Sequence, residues 1–177
     1  MNNKMSSLYE LTKKFNAISG ASKELSEKAF IEQYTYIREE FKEMASTFGD
    51  DYCSSLSLKV QMIEPLLDDC LDVIITVFGM LQKLENLGVD VNQAAIDTAM
   101  NNLSKYTTSP SIAHDTIDKL LMKDGTIAKA VFNESENCYV IRDVTTGKVK
   151  KPSNFVSNDL DCYVTTEVKE KYKNANN

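Results

Sequence analysis

The chain has 177 residues, which at roughly 100 to 200 residues per domain makes one domain, or one domain with an appendage. Apolar residues make up 42% and charged residues 26%, so disordered and fibrous classes are excluded, and 3 Pro with 6 Gly suit long helices better than many short strands. The formal charge is −6, from 20 basic and 26 acidic residues, and no basic cluster long enough to neutralise a run of phosphates is present, so a free polynucleotide is not the expected partner.

The opening MNNKMSSLYELTKKF lacks the apolar core of a signal peptide. Leu8, Leu11, Phe15 and Ile18 are helically spaced, with Ser6 or Ser7 as N-cap and Gly20 as stop, and predict a first helix. Phe30, Tyr34, Ile37, Phe41, Met44 and Phe48 alternate in steps of four and three and predict a second, ending at Gly49. Residues 50–57 read as a turn. Residues 58–88 are helical again, with Pro65 either in the first turn of a helix or at a kink, and Gly88 as the stop. The apolar part of this stretch carries three aspartates and falls short of the ~20 residues of a membrane span. Asp90-x-x-Gln93 resembles a capping box and opens a fourth helix through about Ser104, with Val91, Ala94, Ala95, Ala99 and Leu103 apolar.

Ser109-Pro110 then predicts a fifth helix over residues 111–123, closed by Gly125. Residues 127–132 and 138–142 are β-prone runs joined by a polar loop and read as a hairpin, followed by a turn at Thr145-Thr146-Gly147. The expected architecture is mainly α: a four-helix bundle over residues 1–106, a small α+β appendage with a β-hairpin over 107–164, and a frayed tail over 165–177. Cys53, Cys70, Cys138 and Cys162 are far apart and His114 is the only histidine, so the thiols are expected to be incidental and no zinc site is expected. The reading is a soluble, cytoplasmic protein without membrane contact.

Most helical acids simply face water. In the third helix, however, Asp68, Asp69 and Asp72 are the only charges in LLDDCLDVIITVFGML, and they fall within about one third of the circumference, with Thr76 on the same stripe. Because that helix is apolar nearly all round, it is expected to be buried, and unpaired buried carboxylates cost several kcal/mol each. In the second helix, Glu40 lies about 100° and Glu43 about 160° from Phe41 on one side, so Glu40 borders the core, while Glu39 faces nearly opposite and is expected to be solvated. Packed side by side, the two helices would bring two pairs of carboxylates together. Four hard oxygen ligands without His or Cys suit Mg²⁺ or Mn²⁺, whose usual partner is a phosphate chain. The alternative is surface ion pairs on one helix and a wet groove on the other.

Glu39-Glu40-x-x-Glu43 and Asp69-x-x-Asp72 together resemble the E-E-x-x-E and E-x-x-D pattern of the all-α nucleoside triphosphate pyrophosphohydrolases, the MazG-like and phosphoribosyl-ATP pyrophosphatase-like group, with Asp69 departing from the glutamate. Asn102-Leu103-Ser104-Lys105-Tyr106 is similar to that group's N-x-x-K-F/Y, and Gly147-Lys148-Val149-Lys150-Lys151-Pro152 to a segment of its phage-encoded branch. The resemblance covers residues 8 to 160. It implies hydrolysis between the α and β phosphates of a nucleotide to a monophosphate and pyrophosphate. It also implies Mg²⁺ (or Mn²⁺) on Glu40, Glu43, Asp69 and Asp72, with Glu39 or Glu40 taking the proton of the attacking water and Asn102 and Lys105 on the substrate phosphates. Asn16 is a candidate for the base pocket, although an exposed asparagine beside a core phenylalanine explains it equally well. A homodimer or homotetramer is implied, in the host cytoplasm if the chain is phage-encoded. A phosphoribosyl nucleotide or an alarmone is an alternative substrate, and a non-catalytic helical module holding a nucleotide or protein is the alternative from another class.

Overall fold

A computed structural model describes residues 4–20, 25–47 and 62–173. The chain is mainly helical, with a two-stranded antiparallel sheet in its C-terminal part. The described elements are α1 (Lys4–Ser19), α2 (Glu27–Thr47), α3 (Ile63–Asn86), α4 (Val91–Leu103), α5 (Pro110–Asp124), β1 (Ala128–Asn133), β2 (Cys138–Asp143), a 3₁₀ turn (Asp161–Tyr163) and α6 (Thr166–Lys173). They form two compact units, Met1–Val91 with Val164–Asn177, and Asn92–Tyr163. The sequence reading ended the first unit at residue 106, whereas α4 groups with the C-terminal elements. The charged stretch expected to fray carries α6, and Val164, two residues before that helix, bridges Val89.

In the first unit α3 packs against both α2 and α1. Ser6 and Ser7 do not cap α1, because the helix is already running at Lys4; Gly20 does leave it in the left-handed region at φ 79°. The expected end of α2 at Phe48-Gly49, the turn over residues 50–57 and Cys53 lie outside the described residues. Pro65 occupies the first turn of α3, where its missing N–H has no helical partner to lose.

The apolar stripe predicted for α2 is only partly its contact face. Tyr34 and Phe41 are exposed, while Ala29 and Gln33 are buried and Ile37, Glu40, Met44 and Thr47 are half-buried on the line that faces α3. The seam is polar at its closest point. Gln33 Nε2 donates to the Thr76 carbonyl at 2.9 Å, lying over Gly79, where an added Cβ would stand 2.6 Å from that nitrogen.

The α1–α3 contact is polar as well. Tyr9 Oη donates to Glu85 at 3.0 Å and packs edge-on to Phe78 with ring centroids 5.2 Å apart, and Lys13 pairs with Glu85 at 3.1 Å. Burial and the Glu85 carboxylate push the Tyr9 phenol above its ordinary pKa, so it stays protonated as a donor.

In the second unit, Ser109 accepts from Ile112 N, Pro110 takes the first helical position, and Gly125 at φ 71° closes α5 by left-handed capping, as the sequence predicts. β1 and β2 pair from Ala128↔Asp143 to Asn133↔Cys138. The outer edge of β2 is covered by bridges from Thr107 to Tyr139 and from Val149 to Arg142, which leaves little open edge for another strand. Ile141 is fully buried and, with Ala113 and Thr116 of α5, forms the centre of this unit. Asp143 accepts from the amides of Thr145 and Thr146 and pairs with Lys150, which lowers its pKa to about 2 and holds the turn before Gly147.

Replacing a helical glycine by alanine ordinarily stabilises by roughly 1 kcal/mol. At Gly79 the new methyl meets a side chain held by its own hydrogen bond, so Gly79→Ala is expected to destabilise the protein by about 1–3 kcal/mol in urea unfolding. In a Gln33→Ala background the same change should be neutral or stabilising. A Gly79→Ala effect independent of residue 33 would show that the helices do not meet there.

Candidate metal centre

Glu39, Glu40 and Glu43 lie on the last three turns of α2, and Asp69 and Asp72 on the first three turns of α3. Among the five, Glu40 and Asp69 are half-buried on the α2–α3 seam, and Glu39, Glu43 and Asp72 are exposed. The wheel positions of Glu40 at the border and Glu39 outward are those expected from the sequence. The expectation that α3 buries its aspartates fails: Leu67 is 60% and Leu71 40% exposed, and Asp68 and Asp72 are exposed with them. An apolar circumference shows which faces could be covered, and among the described residues the N-terminal half of α3 meets α2 on one side only.

The helices nevertheless bring the acids into one field. The Glu40 carboxyl is held above its ordinary pKa, first by burial and then by the charges of Glu43, Asp72, Glu39 and Asp69. None of these five acids forms an ion pair with a described lysine or arginine. Asp69 has a different partner, the Thr47 hydroxyl, which donates to it at 2.5 Å. Sequence reasoning missed Thr47, although its position four residues after Glu43 puts it on the same stripe. As they stand, the acids do not chelate: among the described residues no three His, Cys, Asp or Glu side chains cluster tightly enough to hold an ion. Their chemistry suits a hard cation, since every donor is a carboxylate oxygen and the mutual repulsion at Glu40 is the kind that a divalent ion relieves.

The remaining candidates are placed as follows. Thr76 bonds back to the carbonyls of Asp72 and Val73, a helical hydroxyl and not a free ligand. Asn16 donates to Gln82 Oε1 at 2.8 Å across the α1–α3 contact, so its amide is engaged in packing. In the second unit, Lys105 Nζ donates to Asn102 Oδ1 at 2.6 Å just past the end of α4, which joins the two residues of the N-x-x-K spacing. His114 is exposed, and Cys70, Cys138 and Cys162 are free thiols. Set against protein-family models, curated proteins and solved structures, the chain matches none.

A raised carboxyl pKa makes the folded chain take up that proton at higher pH than the unfolded chain does. The stability that comes from protonated Glu40 is therefore complete below the ordinary carboxylate pKa and is lost as pH rises through the raised value. Between about pH 7 and about pH 5, Tm of the wild type should rise relative to that of Glu40→Gln, which lacks this component. Parallel Tm profiles for the two proteins would mean that Glu40 does not feel its neighbours.

Proposed function

We propose that the chain is a Mg²⁺-dependent nucleotide pyrophosphohydrolase, with Mn²⁺ as a substitute, built on a MazG-like four-helix bundle and cleaving a (d)NTP between its α and β phosphates. The observation that carries this reading is the cluster of acids between α2 and α3, where burial and then four other carboxylates raise the Glu40 pKa and no described basic side chain pairs with them. A structural ion-pair network would place lysines or arginines there. An acid-only donor set leaves the charge to be met by cations and by what they carry.

In this proposal Glu40, Glu43, Asp69 and Asp72 would hold Mg²⁺, which when bound would offset phosphate charge and acidify water. Glu39 or Glu40 would take the proton of the attacking water. Lys105 offsets charge on the β or γ phosphate, and Asn102 donates from its amide while its Oδ1 holds the lysine.

A homodimer or homotetramer is part of the proposal. Leu11, Phe15 and Ile18 of α1, together with Ile63, Leu67 and Leu71 of α3, are exposed at helical spacing, and apolar stripes of this kind mark surfaces that another chain covers. Among the described residues no helix is long and apolar enough to cross a membrane, and the proposed location is the cytoplasm. A non-catalytic nucleotide-binding module is a second reading, favoured by two observations: Asp69 is engaged by Thr47, and among the described residues no tight chelating group is formed.

A panel of NTPs and dNTPs with Mg²⁺ should release pyrophosphate, and Glu43→Gln or Asp72→Asn should abolish that release while leaving the helical CD spectrum intact. Glu39→Gln should do less harm. Millimolar Mg²⁺ should raise Tm of the wild type and fail to do so in Asp72→Asn. Lys105→Ala should lower kcat/KM by ~10², about 2.7 kcal/mol of transition-state stabilisation. Orthophosphate as first product would overturn the mechanism, and Mg²⁺-dependent nucleotide binding with no cleavage would favour the binding module.

A further inference from the structure

The second unit contains a groove that the acid cluster does not use. It has a volume of about 420 Å³ and runs between one face of α4, with Asp97, Met100, Asn101 and Ser104, and the segment that contains Phe155 and Asn158. That size suits a base with its sugar.

The walls are held in place. Asn101 Nδ2 donates to the Val156 carbonyl at 2.7 Å, Asn158 Nδ2 reaches Thr98 Oγ1 at 3.4 Å, and the Ser153 amide donates to Thr116 of α5 at 2.8 Å. Asp97 is the one charged group in the lining. Its Oδ2 accepts from Tyr163 Oη at 2.6 Å and its Oδ1 from Gln93 Nε2 at 3.0 Å, so the carboxylate is oriented by two donors, one on each oxygen. These bonds also keep it ionised, with its pKa below the ordinary value. A carboxylate offers about four lone-pair sites, so each oxygen retains capacity for one further donor.

The complement of two fixed, parallel acceptors is a pair of adjacent N–H groups. Among the nucleobases guanine has that pair, in its ring N1–H and its exocyclic amine. Cytosine and adenine present an amine beside an acceptor, and uracil presents no amine. Around the carboxylate, Met100 and Phe155 supply the soft and aromatic surface on which a planar ring lies. A cation stands beside the ring: Lys151 Nζ is 4.4 Å from the centroid of the Phe155 ring. Lys151 belongs to the Gly147–Pro152 segment, to which no role has yet been assigned.

We propose that this groove binds a nucleoside and selects guanine through Asp97. The inference rests on the nucleotide reading above, but it is tested without catalysis. Guanosine, inosine and uridine are titrated into the full chain without metal, followed by calorimetry and by amide shifts of Asp97, Asn101 and Phe155. Guanosine is expected to bind, inosine, which lacks the exocyclic amine, about 10-fold more weakly, and uridine more weakly still. Asp97→Asn should weaken guanosine at least ~10-fold and remove the preference over inosine. Phe155→Ala should weaken all three nucleosides together, and it keeps the test open if Asp97→Asn fails to fold.

Equal binding of guanosine and uridine, binding unchanged by Asp97→Asn in a folded variant, or no binding of guanosine at millimolar concentration would each overturn the inference. Pyrophosphate release alongside any of these results would leave the enzyme standing and the groove wrong. Guanosine bound through Asp97 with no triphosphate cleaved would do the reverse.

Discussion

The contact between α2 and α3 sets the chemistry of the first unit. It is close because residue 79 is a glycine, and it is fixed because Gln33 fills the space above that glycine and bonds the Thr76 carbonyl. Turning α2 to put Gln33 into the seam also decides which glutamate follows it there. Residue 40 is seven positions on, almost two full turns, so Glu40 comes to the same face, and Glu39 and Glu43 fall to its flanks. A rotation that buried Phe41 would have moved Glu40 away from the aspartates. One buried amide therefore positions a carboxylate about 10 Å further along the helix.

Punctuation was legible in the sequence. Ser109, Pro110 and Gly125 bound α5 by the orphan groups they satisfy, and the polar loop between two β-prone runs became the paired β1 and β2. Gly147 turns at φ 70° after an aspartate that accepts two successive amides. These are local effects, determined by residues a few positions apart. The α2 seam is not local. Hydrophobic spacing named Tyr34 and Phe41 as core and passed over Gln33, because a polar residue enters a seam only when the opposite helix supplies a partner for it. The same holds for Gln82, buried on α3 and accepting from Asn16 of α1.

The candidate site was legible in residue type and only partly in environment. Spacing identified Glu40 as the acid at the border of the core, and the fold sets it there within the field of four others. Spacing also matched Asn102 with Lys105, which meet as a hydrogen-bonded pair. Thr47 as the partner of Asp69, and Tyr163 as the partner of Asp97 66 positions away, depend on tertiary placement that no window of sequence contains.

The exposure of α3 changes the reason for expecting a cation. The sequence argument ran through desolvation: aspartates on a buried helix would cost several kcal/mol each unless something positive met them. With Leu67, Leu71 and Asp72 open to water, that penalty largely disappears for the exposed aspartates, and what remains is at Glu40, where burial comes first and repulsion by four neighbours second. Repulsion between partly solvated charges is screened and modest, so the fold tolerates the cluster with no ion pair to a described lysine or arginine. A buried acid cluster would need its metal in order to fold. A half-exposed one can fold first, and under the proposed function it would take its metal afterwards, together with the substrate.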